Sequence, residues 1–536
     1  MVQVMFNTRT ESIRKPRSRW AALHRFRVEA PWILSATLAL VSMFSMIPTL
    51  NHPWGSNWPM YFESARYFWD PTAAYFGWRP PLYPLSLATL GQPLGYVQAA
   101  HLIAQISLVI IVFGSALFAR LMGGVWVSVL AVLTIPLLQC AVEGGMWTNM
   151  YPPAAAAFTL ACALGACAWR KPSLGLALLA GLASGLAWRF NHLGLVAVPL
   201  AGGLTFLGAT KIRARSALLS LPLLFGTGVG TLWSIDQWII EHWDVPQEDL
   251  STQVIQRRRE ELDRLQSGQA DMQRFSGCTD FEPKPLNWTE LTNTCGQQFV
   301  SANYGTLRAE DCIPSPKTLL WLLPLTLLPG AWRRDWRDSA ASILSFGGPI
   351  GAFLIAAGWT SYAEKYAISF LPMMVLIVPL AFDRLGGWVG RLFGRISLGR
   401  TMFWFGAFGW IVYTWPTTTS FSADKPNVQR DWESVSGTVA QWAQTDLGSK
   451  DIFIDCVPLH IDLVLLPKKR EIYAGLPTDV ACEDWVTNPP TSDGNTWMVQ
   501  QYFPEISSTQ PSNLRNKGWV LIQEYDAKHR LWKYQP

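Results

Sequence analysis

Charge is what this sequence has least of. Only 15% of its 536 residues are Asp, Glu, Lys or Arg, against 50% that are hydrophobic, whereas a soluble chain carries roughly 25% charged residues. That composition excludes an ordinary soluble enzyme. The net charge of +5 comes from short basic clusters between apolar runs rather than from one patch or stripe, which takes nucleic acid off the list of partners. CxxC and His-rich spacings are missing, so no structural metal site declares itself, and a divalent-metal requirement stays open. A Gly-rich phosphate loop and a nucleophile elbow are missing too. No small-residue cleavage site follows the first apolar run, so a retained first helix is expected rather than a removed signal peptide.

What the chain has is uncharged runs such as WILSATLALVSMFSMIPTL and SLVIIVFGSALFA, which approach the ~20 residues a bilayer demands. About eleven spans are predicted, at 30–50, 97–118, 123–140, 152–168, 173–188, 193–208, 217–240, 317–331, 340–358, 366–382 and 401–417. Lys and Arg in short loops stay cytoplasmic, so alternate connections can be scored. One set holds seven Lys or Arg in the first 27 residues, then Arg120, Arg170, Lys171, Lys211, Arg213, Arg215, Arg333, Arg334, Arg337, Arg384, Arg391, Arg395 and Arg400. The other short connections hold only Arg66, Arg79, Arg189 and Lys365. A wrong span count would scramble this asymmetry.

The expected protein is therefore a polytopic α-helical membrane protein with its N-terminus cytoplasmic and its C-terminus extracytoplasmic. A basic N-terminus covers 1–29, and a transmembrane domain covers 30–420 with extracytoplasmic loops 51–96 and 241–316. A small soluble α/β domain covers 421–536. Five cysteines fall in the extracytoplasmic parts: Cys278, Cys295, Cys312, Cys456 and Cys482. An oxidising compartment would let Cys456 pair with Cys482, and the three loop cysteines could hold one bridge and one free thiol in any pairing. Among the tryptophans, Trp20, Trp32, Trp169, Trp188, Trp332 and Trp359 flank spans and read as an interfacial belt.

In the tail, Trp432, Val435, Val439 and Trp442 share one face of an amphipathic helix. The segments DIFIDCV, LVLL and EIYAGL read as strands, and GWVLIQEYD with RLWKYQP as a hairpin. Without a phosphate loop or nucleophile, that domain reads as a lid or docking platform.

The informative segment is SNWPMYFESARYFWDPTAAYFGWRPPLYPLSLATL. Asn57 is placed to cap a helix with Pro59 in its first turn, and Pro71 is expected to end it at Asp70. Trp58, Tyr61 or Phe62, Ala65, and Phe68 or Trp69 form an apolar stripe suited to the membrane interface. On the polar side, Glu63, Arg66 and Asp70 sit at spacings of three and four residues, which holds carboxylate and guanidinium side by side.

These residues resemble the GT-C class of polyprenyl-phosphate-dependent glycosyltransferases, whose relatives include protein mannosyltransferases and an aminoarabinose transferase. The resemblance rests on a first span, then an extracytoplasmic helix of the type acidic-x-x-x-Tyr-x-x-x-Ala, then a PPLYP-like motif. Glu143 before the fourth span, the glycine-rich AGLASGLAWRFNHLGLVAVPL, and SYAEKYAISFLP agree with it. It implies sugar transfer from a polyprenyl-phosphate donor, a membrane lipid, to an extracytoplasmic glycan, lipid or protein, in a bacterial inner membrane. Where the class carries an acidic general base about four residues before Tyr61, this chain has Asn57, so Glu63, Asp70 or Glu143 becomes the alternative.

Such a transfer needs a base near the acceptor and cations at the departing phosphate. The scarce extracytoplasmic cations Arg66, Arg79, Arg189 and Lys365 are the phosphate candidates, with snorkelling as the competing role for Arg189. Lys365 with Tyr366 stands, by resemblance, where the class has a donor-binding arginine. Tyr61 and His192 are the expected substrate contacts. Two other readings stay open, a transporter of a lipid-linked or polar substrate and a non-catalytic chain of the same fold.

Overall fold

A computed structural model describes residues 19–47, 58–71, 73, 75, 80–137, 139–145, 148–212, 215–247, 322, 324–326, 340–347, 363–423, 438–439, 442–443, 445–448, 450–456, 471–474, 480–491, 493–501, 510–525 and 529–535. Its helices are α1 (Arg19–Met46), α2 (Trp58–Tyr67), α3 (Leu82–Leu94), α4 (Tyr96–Met122), α5 (Val125–Thr134), α6 (Gln139–Gly144), α7 (Tyr151–Arg170), α8 (Leu174–Phe190), α9 (Ala197–Ala209), α10 (Arg215–His242), α11 (Ala363–Leu392) and α12 (Ile396–Ala423). Among the described residues, five segments are long and apolar enough to cross a membrane: Glu29–Met46, Tyr96–Met122, Tyr151–Arg170, His192–Ala209 and Leu218–His242. The chain is an integral membrane protein of several spans. The spans expected at 317–331 and 340–358 lie largely outside the described residues, as does nearly all of the 241–316 loop.

α7 is the hub of the bundle, packed against α4, α8, α9 and α11. Its sequence explains why. Alanines at 154–157, 161, 163, 166 and 168 are all buried, and small residues let helix backbones approach closely where lipid offers no hydrophobic drive for association. Pro152 and Pro153 sit in its first turn, where a missing N–H costs nothing.

The register between α8 and α10 is set the same way. A side chain on Gly181 would strike the backbone of Phe225, one on Gly185 would meet Val229 and Leu232, and one on Gly228 would meet Leu178 and Leu182. Contacts that advance together along both helices make them parallel neighbours. The next step of that register brings Arg189 to Asp236.

In the bundle, α3 departs from expectation. PPLYPLSLATL was read as a loop motif, yet α3 begins directly after Pro81, with Leu85 N–H donating to Pro81 O at 2.9 Å. Pro84 falls in its first turn, where proline is tolerated. α2 also ends at Tyr67 rather than at Asp70. A single further turn follows, in which Asp70 N–H reaches Arg66 O at 2.9 Å.

The tail forms strands β1 (Ile452–Cys456) and β2 (Glu471–Ala474), helix α13 (Val480–Thr487), strand β3 (Thr496–Gln501), helix α14 (Pro511–Asn516), and strands β4 (Trp519–Glu524) and β5 (His529–Tyr534). The sheet order is β2-β1-β3-β5-β4, parallel between β1 and its two neighbours and antiparallel through β3-β5-β4. The alternation of side chains sorts the core into two faces. Phe453, Val499 and Leu531 face Val439 and Ala443, whereas Ile454, Met498 and Trp532 face Val486, Leu514 and Trp519.

The expected β4-β5 hairpin is present. The central strand β3 was missed, because TWMVQQ is half polar. LVLL and the Cys456–Cys482 side chains lie outside the described residues.

Candidate functional site

At one end of the bundle α2 packs on α3 and on Tyr96 of α4, and its last residues reach the end of α10. The apolar stripe is buried in protein rather than laid on lipid: Tyr61, Phe62 and Ala65 are 0% exposed. Tyr61 meets Tyr83 of α3 edge-on at 5.2 Å between centroids, and Phe62 packs on Tyr96 of α4 at 5.8 Å. Tyr61, expected to touch substrate, has no free surface and anchors α2 instead. Of the expected alternatives Phe68 and Trp69, Phe68 is buried, and Trp69 is 56% exposed while donating to Ala88 O at 3.2 Å.

The far end of α2 is fastened to α10. Phe68 packs on Trp243 at 5.6 Å, and Tyr67 Oη donates to Asp244 O at 2.8 Å. Burial first, and then the Asp244 carboxylate, push the Tyr67 phenol above its ordinary pKa, so it stays a neutral donor. Asp244 adopts a left-handed φ of 49°, and Val245 N–H closes the end of α10 onto Ile240 O at 2.9 Å. Asp tolerates that conformation better than most residues.

Beneath this clasp lies a buried ion pair. Arg189, at the end of α8, pairs with Asp236 of α10, and their side chains are 9% and 2% exposed. The guanidinium also lies 5.2 Å from the Trp188 ring centroid. Arg189 therefore does not snorkel, because its charge is spent inside the protein. Among the described residues the pair is only half satisfied: Arg189 Nε and Asp236 Oδ1 have no hydrogen-bond partner, and neither has Asn191 Nδ2. Asn191 Oδ1 is occupied by Leu193 N–H at 3.0 Å, which fixes the amide. A buried polar atom left unpaired costs about 1–3 kcal/mol, and the described residues supply no partner for these three.

Tyr75 stands over the pair, within electrostatic reach of both Asp236 and Arg189. Burial and Asp236 raise its pKa far above the ordinary phenol value, against a smaller opposing effect of Arg189. It packs edge-on to Tyr67 at 5.4 Å and to Phe68 at 6.2 Å. On the outer face of α2, Arg66 pairs with Asp70 at 3.4 Å, both about a third exposed. Glu63 and Arg66 lie within electrostatic reach of Tyr96.

The structure thus gathers Glu63, Arg66, Asp70, Arg189 and His192 in the segments around one end of the bundle, His192 heading the short turn His192–Val196 after α8. Glu143 is on α6, and Lys365 with Tyr366 opens α11; their side chains lie outside the described residues, as do Asn57 and Arg79 altogether. Asp236 and Tyr75 were not foreseen. A signal for Asp236 existed: SIDQW places one carboxylate in an apolar span, which is costly without a role or a partner. Among the described residues no group of three or more His, Cys, Asp or Glu could hold a metal ion.

No protein-family model matches the chain, and no curated protein matches it in sequence. Solved structures match its fold. ArnT from Cupriavidus metallidurans, bound to undecaprenyl phosphate or in the apo state, aligns over 94% of this chain and 97% of its own, at 13% identity and a TM-score of 0.52. The archaeal oligosaccharyltransferase AglB from Archaeoglobus fulgidus, in complex with an inhibitory peptide and a dolichol-phosphate, aligns over 83% of this chain and 64% of its own, at 14% identity and a TM-score of 0.44. The likeness to ArnT is one of fold: this chain is a polytopic membrane protein that shares the overall architecture of ArnT.

Proposed function

We propose that this chain is a membrane glycosyltransferase that moves a sugar from a polyprenyl-phosphate donor to an extracytoplasmic glycan, lipid or protein. The N-terminus would be cytoplasmic and the loops 51–96 and 241–316 and the tail 421–536 extracytoplasmic, in a bacterial inner membrane, with about eleven spans in 30–420. The observation that carries the reading is the buried Arg189–Asp236 pair with its unpartnered Nε and Oδ1, two residues along the chain from Asn191, whose Nδ2 is also unpartnered among the described residues.

The reaction breaks the bond between the sugar's anomeric carbon and the phosphate oxygen. It forms a bond from that carbon to an acceptor oxygen or nitrogen, and the acceptor's proton must go to a base. Arg189 Nε and Asn191 Nδ2 donate, which suits the oxygens of the departing phosphate. Asp236 Oδ1 accepts, which suits a hydroxyl of sugar or acceptor. Arg66 adds an accessible cation on the rim, with Arg79 and the Lys365–Tyr366 pair as further donor ligands. Glu63, Asp70 and Glu143 are the carboxylates available as base in place of the amide at Asn57.

The test is a thermal-shift titration of the purified full-length protein with undecaprenyl phosphate. A ligand bound only by the native state stabilises it by about 2.7 kcal/mol at a hundredfold excess over Kd. Stabilisation is expected in the wild type and lost in Arg66→Ala, Arg79→Ala and Lys365→Ala. Absence of any stabilisation in a folded wild-type sample overturns the reading.

A further inference from the structure

The opposite end of the bundle carries a second built feature. α11 and α12 are joined by a tight turn in which Gly394 takes φ 61° and Arg395 N–H donates to Gly390 O at 2.8 Å. The two helices cross with Gly386 and Gly399 backbone to backbone. That close crossing, with glycine also at 387 and 390, leaves no side chains to fill the space beside it. A cavity of about 770 Å³ opens there, walled by Arg391, Arg400, Asp383, Trp126 and Trp404 around the glycines.

We infer that this cavity binds the phosphate headgroup of an anionic glycerophospholipid from the leaflet on that side. Three properties support that occupant. The wall carries two arginines against one carboxylate, and Asp383 already lies in the field of the neighbouring Arg384. The mouth is flanked by Trp126 and Trp404, edge-on at 5.4 Å and 55% and 48% exposed, a pairing suited to the headgroup level of a bilayer. Beyond the mouth α12 exposes Phe408 (67%), one turn from Trp404, an apolar surface for acyl chains that a free phosphate or nucleotide would leave unexplained. A groove across the same crossing, lined by Phe382, Leu385, Met402 and Phe405, has no charged wall residue and serves as the internal contrast.

The cavity lies where helix ends carrying Arg120, Arg170 and Arg384 meet, away from the Arg189–Asp236 site. The inference is thus independent of the proposed transfer reaction.

Native mass spectrometry of the full-length protein from detergent, with phosphatidylglycerol and phosphatidylcholine offered in equal amounts, tests it. Wild type is expected to retain one phosphatidylglycerol in preference, and each of Arg391→Gln and Arg400→Gln to weaken that preference about fivefold. Both arginines are exposed, so these variants should fold, and an unchanged thermal transition verifies it. Arg66→Ala, at the other end, should retain the lipid. Equal retention of the two lipids by wild type, a preference that survives Arg391→Gln/Arg400→Gln, or full displacement by inorganic phosphate would each overturn the proposal.

Discussion

The two ends of the helix bundle handle charge in opposite ways. At one end cations close helices: Arg170 Nε donates to Leu121 O at 2.9 Å, Lys211 Nζ to Trp169 O at 2.9 Å, and Arg384 to Met122 O at 3.5 Å. Each reaches a carbonyl in the last turn of a neighbouring helix, where the backbone leaves acceptors unpaired and the dipole favours positive charge. Trp169, expected in an interfacial belt, is fully buried here, with Arg170 and Lys211 over its ring at 4.0 and 4.5 Å. At the other end the charges meet each other, Arg189 with Asp236, and polar atoms remain unpaired. Unpartnered atoms occur at both ends, Arg384 Nε and Trp169 Nε1 at the first and Arg189 Nε and Asp236 Oδ1 at the second, so the difference lies in the partner: cations meet backbone carbonyls at the first end and a buried carboxylate at the second.

The largest effect should come from breaking the buried pair. Asp236→Ala strands the Arg189 guanidinium in the protein interior and should cost about 3–5 kcal/mol, while the double variant Arg189→Met/Asp236→Leu should recover most of that loss. Denaturation of the detergent-solubilised variants measures both. A double variant as unstable as the single one would mean that the helices need the pair for packing, and the contrast between the ends would fail.

The tail offers the next largest effect, from a carboxylate that is fully satisfied. Asp451 receives Asn495 N–H at 2.8 Å, Trp497 Nε1–H at 2.9 Å and Gly448 N–H at 3.0 Å. Burial tends to raise its pKa, but these bonds outweigh burial and hold the carboxyl below the ordinary aspartate range. A lowered folded pKa contributes stability that is present above the unfolded value, about 3.9, and is lost as pH falls through the folded one. Asp451→Asn should cost about 2 kcal/mol at neutral pH, read as faster hydrogen exchange in β1 and β3. The wild-type advantage should shrink below about pH 4. An advantage that grows on acidification would reverse the assigned sign.

Lys211→Met comes third, at about 1 kcal/mol, since it removes one carbonyl bond and one ring contact from an exposed side chain. The same denaturation assay applies. A loss as large as that of Asp236→Ala would erase the difference between the ends.

How much of this was legible in the sequence depended on distance along the chain. The spans expected at 30–50, 97–118, 152–168, 193–208 and 217–240 were readable because apolar runs declare themselves locally, and α2 because its stripe and polar face have helical spacing. What hid was pairing. Nothing within WRFNH or SIDQW says that the two meet; that follows from the Gly181, Gly185 and Gly228 register, which becomes visible only once α8 and α10 are known neighbours. The stripe on α2 was expected to lie at the membrane interface and packs on α3 and α4 instead, because periodicity does not distinguish lipid from protein. α3 was masked by its own prolines, which punctuate a sequence and yet open a helix, and β3 by Gln500 and Gln501 in a central strand.

The smallest expected stability effects sharpen the comparison most, because each end has one partly exposed ion pair. Arg66–Asp70 spans 3.4 Å on α2, and Arg120–Glu29 spans 2.8 Å at the opposite end. Pairs of this kind contribute about 0–1 kcal/mol, so Arg66→Ala and Arg120→Ala should both unfold close to wild type. They should part company in the presence of undecaprenyl phosphate. The Arg66 variant should lose the ligand's stabilisation, because the proposed donor site draws on its guanidinium, and the Arg120 variant should keep it in full. If both variants lose the ligand shift, or neither does, the donor does not bind at the α2 end, and the unpaired atoms around Arg189 and Asp236 would have to serve some other polar guest.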